Sequence, residues 1–121
     1  MPIKDKHMIP KRVFWNDVKS GAIVRSPEKF GNEHYKVMDN KKGIRRMVEA
    51  HNGDMGDMYI YNFTEVLVEN EEATLEEERF DWVPLAVTAA QARQLTTVAI
   101  FMEGQEIIRY IQKMEEVGKD E

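Results

Sequence analysis

Lys41, Lys42, Arg45 and Arg46 set four cations within six residues of a chain whose formal net charge is −5. Cations at that density can neutralise successive phosphates or meet an acidic protein surface, and Arg25 and Lys36 upstream would extend the patch. Tyr35, Tyr59 and Tyr61 offer rings on which bases could stack. The competing reading of the same residues is a solvated hairpin tip whose lysines keep a sheet edge from pairing with other chains. The expectation is a binding face made of Arg25, Tyr35, Lys36, Lys41, Lys42, Arg45 and Arg46. Its partner would be nucleic acid or an acidic protein.

Other chemistry finds less support. His51, Asp54 and Asp57 in HNGDMGD are three potential metal ligands in a Gly-rich loop. A calcium loop needs more carboxylates and a closing glutamate, and a zinc site would have to recruit His7 or His34 from a distance. A turn in which Asn and Asp bond their own backbone explains the same residues. The absence of cysteine excludes a disulfide framework, a thiolate site and a cysteine nucleophile. No nucleophile motif, phosphate-cradling glycine loop or His-Glu metal pair occurs. Asp81 has an aromatic residue on either side, but strand alternation turns it away from both, and the acidic run Glu71 to Glu78 reads as hydrated. The chain is therefore expected to be non-enzymatic, with no cofactor and no metal.

The elements that position these residues follow from pattern. A length of 121 residues with 42% hydrophobic content suits one domain with its own core. Residues 1–47 hold 12 Lys and Arg against 5 Asp and Glu, while 48–121 hold 5 against 17, so charge is polarised along the chain. The charged N-terminus lacks a signal-like apolar stretch and the longest apolar run, VAIFM, is far short of a bilayer span, which predicts a soluble cytoplasmic protein. Residues 1–12 read as a basic extended arm, because Pro2 and Pro10 remove amide donors and no period is visible. Val13, Phe14 and Val18 share one face of a predicted helical turn. β-rich runs follow at Ala22 to Ser26, His34 to Asp39, Gly43 to Ala50, Met58 to Tyr61, Glu65 to Glu69 and Phe80 to Val87. Asp39, Asn40 and Gly43 supply the turn of the basic hairpin. Arg46 falls among Ile44, Val48 and Ala50 on one strand face, so either a bulge slips the register or Arg46 lies at a rim. Pro84 argues for an edge strand.

The pattern changes at Thr88, where Thr88 and Gln91 form a capping box for a helix extending to about Val117. Leu95, Val98, Ala99 and Met102 make one apolar stripe, and Ile107, Ile108, Ile111 and Met114 a second beyond Gly104. An unbroken helix would be about 45 Å long, more than a small sheet can cover. Either Gly104 breaks it and the second half folds back, or Ile107, Ile108, Ile111 and Met114 are covered by another copy of the chain in a homo-oligomer.

Five or six short strands over residues 13–87, followed by this helical segment over 88–121, predict an α+β domain built on a small, strongly bent antiparallel sheet or partly closed barrel. The run Gly21 to Ser26, GAIVRS, with the Tyr35 to Val37 strand and the basic hairpin resembles the opening of an SH3-like small barrel. That resemblance covers about a third of the chain and implies a module that binds nucleic acid or peptide. The alternative function is self-assembly through opposed acidic and basic surfaces, or an acidic nucleic-acid mimic that binds protein.

Overall fold

The computed structural model describes residues 9–39, 45–50, 52–70, 75, 79–102 and 105–119, with residues 39, 45, 55 and 102 described by backbone alone. Among the described residues, seven strands form one open mixed sheet: β1 (Val13–Phe14), β2 (Ile23–Arg25), β3 (His34–Asp39), β4 (Arg45–Ala50), β5 (Met55–Tyr59), β6 (Glu65–Glu69) and β7 (Phe80–Ala86). Their spatial order is β1-β7-β6-β2-β3-β4-β5, and every pairing is antiparallel except β1 with β7. The fold is α+β, as expected, but the sheet is not closed into a barrel, and the expected helical turn at Val13 is a strand. Val13 and Phe14 satisfy their backbone against Leu85 and Ala86. A tertiary partner thus overrides a spacing that fitted a helix equally well. A 3₁₀ turn, Trp15–Asp17, then buries Trp15 completely.

PEKF, between the first two predicted β-rich runs, forms the single helical turn α1 (Pro27–Phe30), with proline at its first position and Gly31 at φ 64° ending it. Proline carries no amide to waste at a helix start, and glycine accepts the left-handed backbone that closes it. The Asn52-Gly53 turn is tighter than the predicted loop, because Asn52 Oδ1 accepts the Asp54 N–H at 3.0 Å and Gly53 sits at φ 91°. Strand β5 therefore begins at Met55 and ends at Tyr59, and a 3₁₀ turn, Ile60–Asn62, replaces the rest of the predicted MYIY strand.

Strand β7 has β6 along one edge and only the two residues of β1 along the other. Leu85 N–H donates to Thr64 O at 2.9 Å, so alternation turns Val83 and Asp81 toward β6 and Pro84 and Trp82 toward the open edge. Pro84 has no donor there, and the Trp82 N–H is taken by its neighbour Asp81 Oδ1 at 2.9 Å. The exposed edge is blunted by its own residues.

Two helices complete the chain: α2 (Ala89–Met102) and α3 (Gln105–Lys119). Thr88 Oγ1 accepts the Gln91 N–H at 3.2 Å, the cap that the sequence predicts. Val87 N–H donates to Met114 O at 3.2 Å, which brings the middle of α3 beside the start of α2, so the second helix folds back along the first. Gly118 closes this contact: a Cβ there would lie 2.6 Å from Val87 O and 3.2 Å from the Phe14 ring. Val24, Val37, Val48, Val66 and Val83 from one sheet face, with Trp15, Phe63, Leu95 and Ile111, belong to a single core cluster. No described helix is long and apolar enough to cross a membrane.

Of the two alternatives that the sequence offers, α3 folds back within the chain. Ile107, Ile111 and Met114 are 6%, 0% and 2% exposed within one chain, and Ile108 is half-buried against the same core. The stripe that looked uncovered is covered by the chain's own sheet and helix, which removes the reason for a partner there.

Candidate binding face

Register decides which side chains share the open side of the sheet. Val24 is opposite Tyr35 and Val66, and Val66 opposite Val83, so these point into the core. Their neighbours in each strand must then point outward: Arg25 and Ile23 on β2, His34 and Lys36 on β3, Glu65 and Leu67 on β6, and Phe80, Trp82 and Pro84 on β7. Arg25 is directly opposite both His34 and Glu65. Its Nε donates to Glu65 Oε1 at 2.6 Å, and its guanidinium carbon lies 4.1 Å from the centre of the Trp82 ring. His34 meets the same indole edge-on at 5.1 Å between ring centroids. Three strand spacings of about 4.8 Å separate β3 from β7, so long side chains and sheet curvature together converge these groups above β6.

Around this cluster the charge is balanced. Arg25 and Glu65 keep 27% and 31% of their side-chain area open, and Arg79 Nε pairs with Glu69 Oε2 at 2.9 Å on the outward side of β6 and β7. Ion pairs this exposed contribute about 0–1 kcal/mol each, so they orient side chains more than they stabilise the fold. Lys36 is exposed beside them, and a recess lined by Ile23, His34, Lys36 and Glu49 opens next to the cluster. Among the described residues, this is where aromatic, cationic and imidazole groups meet in the open.

The expected binding set divides sharply against this geometry. Arg25 and Lys36 lie on the open face. Lys41 and Lys42 lie outside the described residues, as does the side chain of Arg45, though β3 and β4 do pair as the predicted hairpin. Tyr35 points inward, its ring 5.1 Å from Phe30 and 5.2 Å from Phe63. Burial, and secondarily the nearby Glu33 carboxylate, push its phenol above the ordinary value.

Arg46 leaves the set altogether, because it is fully buried. A bulge does interrupt the ladder, between Val37 and Asp39 of β3, but β4 keeps its alternation and carries Arg46 inward with Val48. There the guanidinium donates to the carbonyl oxygens of Trp15 and Val18 and lies 5.1 Å from the Trp15 ring centre. It holds the N-terminal 3₁₀ turn onto the sheet and cannot reach a ligand.

Sequence reasoning does not place Trp82, His34 or Glu65 on the binding face. The signal is present in β7, where Phe80, Trp82 and Pro84 alternate with Asp81, Val83 and Leu85. An apolar residue at both parities means that one apolar set faces solvent.

Elsewhere the chemistry is thin. Asp81 is exposed and engaged with the Trp82 amide. No group of three His, Cys, Asp or Glu is placed to hold a metal among the described residues, and His51 lies outside them. A cleft between α1, β7 and α3 has an apolar floor of Pro84, Leu85 and Met114, and its rim charges Glu28 and Lys113 pair with each other at 3.9 Å. Comparison with protein-family models, with curated proteins and with solved structures finds no match to this chain.

Proposed function

We propose that this chain is a non-enzymatic binding protein of the cytoplasm that holds a polyanion, nucleic acid foremost, against the open face of its sheet. The observation that carries the reading is Arg25 poised over Trp82, with His34 at the ring edge and Lys36 exposed alongside. A ring and cations on an accessible sheet face are the parts from which single-stranded nucleic acid sites are made. Lys41, Lys42 and Arg45 follow β3 in the sequence, and the reading draws on them as further cations for the backbone of the ligand. The SH3-like opening of the chain suits the same role, since small bent sheets of that kind serve as binding modules.

A second reading is supported by the apolar content of the face. Phe80 is 48% exposed and shares the outward side of β7 with Trp82 and Pro84, with ion pairs at the border. An aromatic centre with a charged rim also fits a protein partner.

Charge reversal separates the two. Lys36→Glu, Lys41→Glu, Lys42→Glu and Arg45→Glu together should weaken binding of a fluorescent single-stranded oligonucleotide at least about tenfold. The slope of log affinity against log salt should flatten by about 3, at about 0.7 per phosphate contact. Unchanged affinity and slope would remove the polyanion reading and leave the protein partner.

A further inference from the structure

The geometry points to Arg25 as a stacking platform for an unpaired nucleobase, which makes the ligand of this face single-stranded nucleic acid. This rests on the polyanion reading and specifies its contact. An arginine meant for a phosphate or carboxylate should present its N–H edge to solvent. Here the Nε edge is already taken by Glu65 at 2.6 Å, and the guanidinium is held over the indole of Trp82 at 4.1 Å. Most of its charge is compensated, while part of the side chain, 27%, stays open.

What this arrangement offers a ligand is a flat, delocalised guanidinium held against an indole. Nucleobases stack on guanidinium planes as they do on aromatic rings, and a base set on Arg25 would continue a column that Trp82 begins. Glu65 fixes the rotation of the guanidinium in advance, so little side-chain freedom remains to be lost on binding. The recess lined by Ile23, His34, Lys36 and Glu49 adjoins the column and gives the adjoining nucleotide room, with the exposed Lys36 ammonium in its lining for the phosphate.

The test compares two probes on the full chain: an oligothymidylate of about 12 nucleotides and an abasic strand with the same number of phosphates. Wild-type protein should bind the thymidylate about tenfold more tightly than the abasic strand. Arg25→Lys, which keeps the charge and removes the plane, should bring the two affinities together, and Trp82→Leu should do the same. Near-UV circular dichroism verifies that each variant is folded. Equal wild-type affinity for the two probes, or a thymidylate preference that survives both substitutions in folded protein, overturns the platform while the polyanion reading stands. Failure to bind either strand removes both. Binding of polyglutamate in place of the oligonucleotide overturns the platform in favour of an acidic protein partner.

Discussion

Arg46 carries a full positive charge into the interior, where its guanidinium donates to the backbone carbonyls of Trp15 and Val18. A buried charge is tolerated when its hydrogen bonds are made, and breaking one side of such an arrangement costs more than the arrangement contributes. Arg46→Ala should therefore lower stability by about 2–5 kcal/mol, seen as a shifted urea midpoint. Arg46→Lys should recover only part of this, since a shorter ammonium side chain lacks the planar fork with which the guanidinium spans the two carbonyls. Full stability in Arg46→Ala would show that the clamp contributes nothing. Tyr35 gives a second prediction. Its phenol titrates above the ordinary 10.0 because ionising it would leave a charge among Phe30 and Phe63 and near Glu33. The folded state thus holds the proton more tightly than the unfolded chain, so this stability is present below pH 10.0 and is lost as pH rises through the higher folded value. Tyr35→Phe should blunt the loss of stability above that pH in denaturation curves measured at several pH values. Both residues are visible in the sequence as a cation and a ring. What hides their burial is that alternation assigns a residue to a face without saying which face is wet.

At the level of elements, the local signals proved the most legible. The Thr88 cap, the strands at β2, β3, β6 and β7 and the apolar stripes of α2 and α3 all lie where short-range pattern places them. The misplacements occur where the deciding partner is far away in sequence. Val13 and Phe14 become a strand only because Leu85 and Ala86 offer a backbone edge more than seventy residues on. The folding back of α3 likewise depends on a contact that no periodicity encodes, the approach of Gly118 to Val87 and Phe14. With only 2.6 Å between an added methyl group and Val87 O, Gly118→Ala must push α3 away from β1 and the start of α2. Alanine would otherwise favour the helix by up to about 1 kcal/mol, so propensity and packing oppose each other. Packing should win, because the obstruction is a carbonyl oxygen and cannot rotate aside. The expected result is a net loss of about 1–2 kcal/mol and a melting temperature lower by several degrees. A higher melting temperature would mean that the helix end is free to move and that the contact is not a constraint.

Across the whole molecule, folding mixes the two charge halves that the sequence keeps apart. Strand β6, from the acidic half, is paired directly to β2 from the basic half, and Arg25 with Glu65 and Lys113 with Glu28 are ion pairs across that division. The polarity along the chain therefore does not carry over intact to the surface, which weakens assembly through opposed acidic and basic sides. The apolar argument for assembly weakens for a separate reason: the isoleucines that seemed to need a partner already sit in the core of one chain. These two roles predict opposite responses to the same substitution. Ile111 is fully buried, so Ile111→Glu places a carboxylate where no water reaches it, a cost of several kcal/mol against a net stability of about 5–15 kcal/mol for a domain. Ile111→Glu should unfold the chain or melt it near ambient temperature, and Ile108→Glu, at a half-buried position, should be milder. Near-UV circular dichroism and sedimentation of wild type and both variants check this. A folded Ile111→Glu monomer derived from a wild-type oligomer would instead mean that α3 is covered by another chain, and the helical hairpin would have to open in solution to allow it.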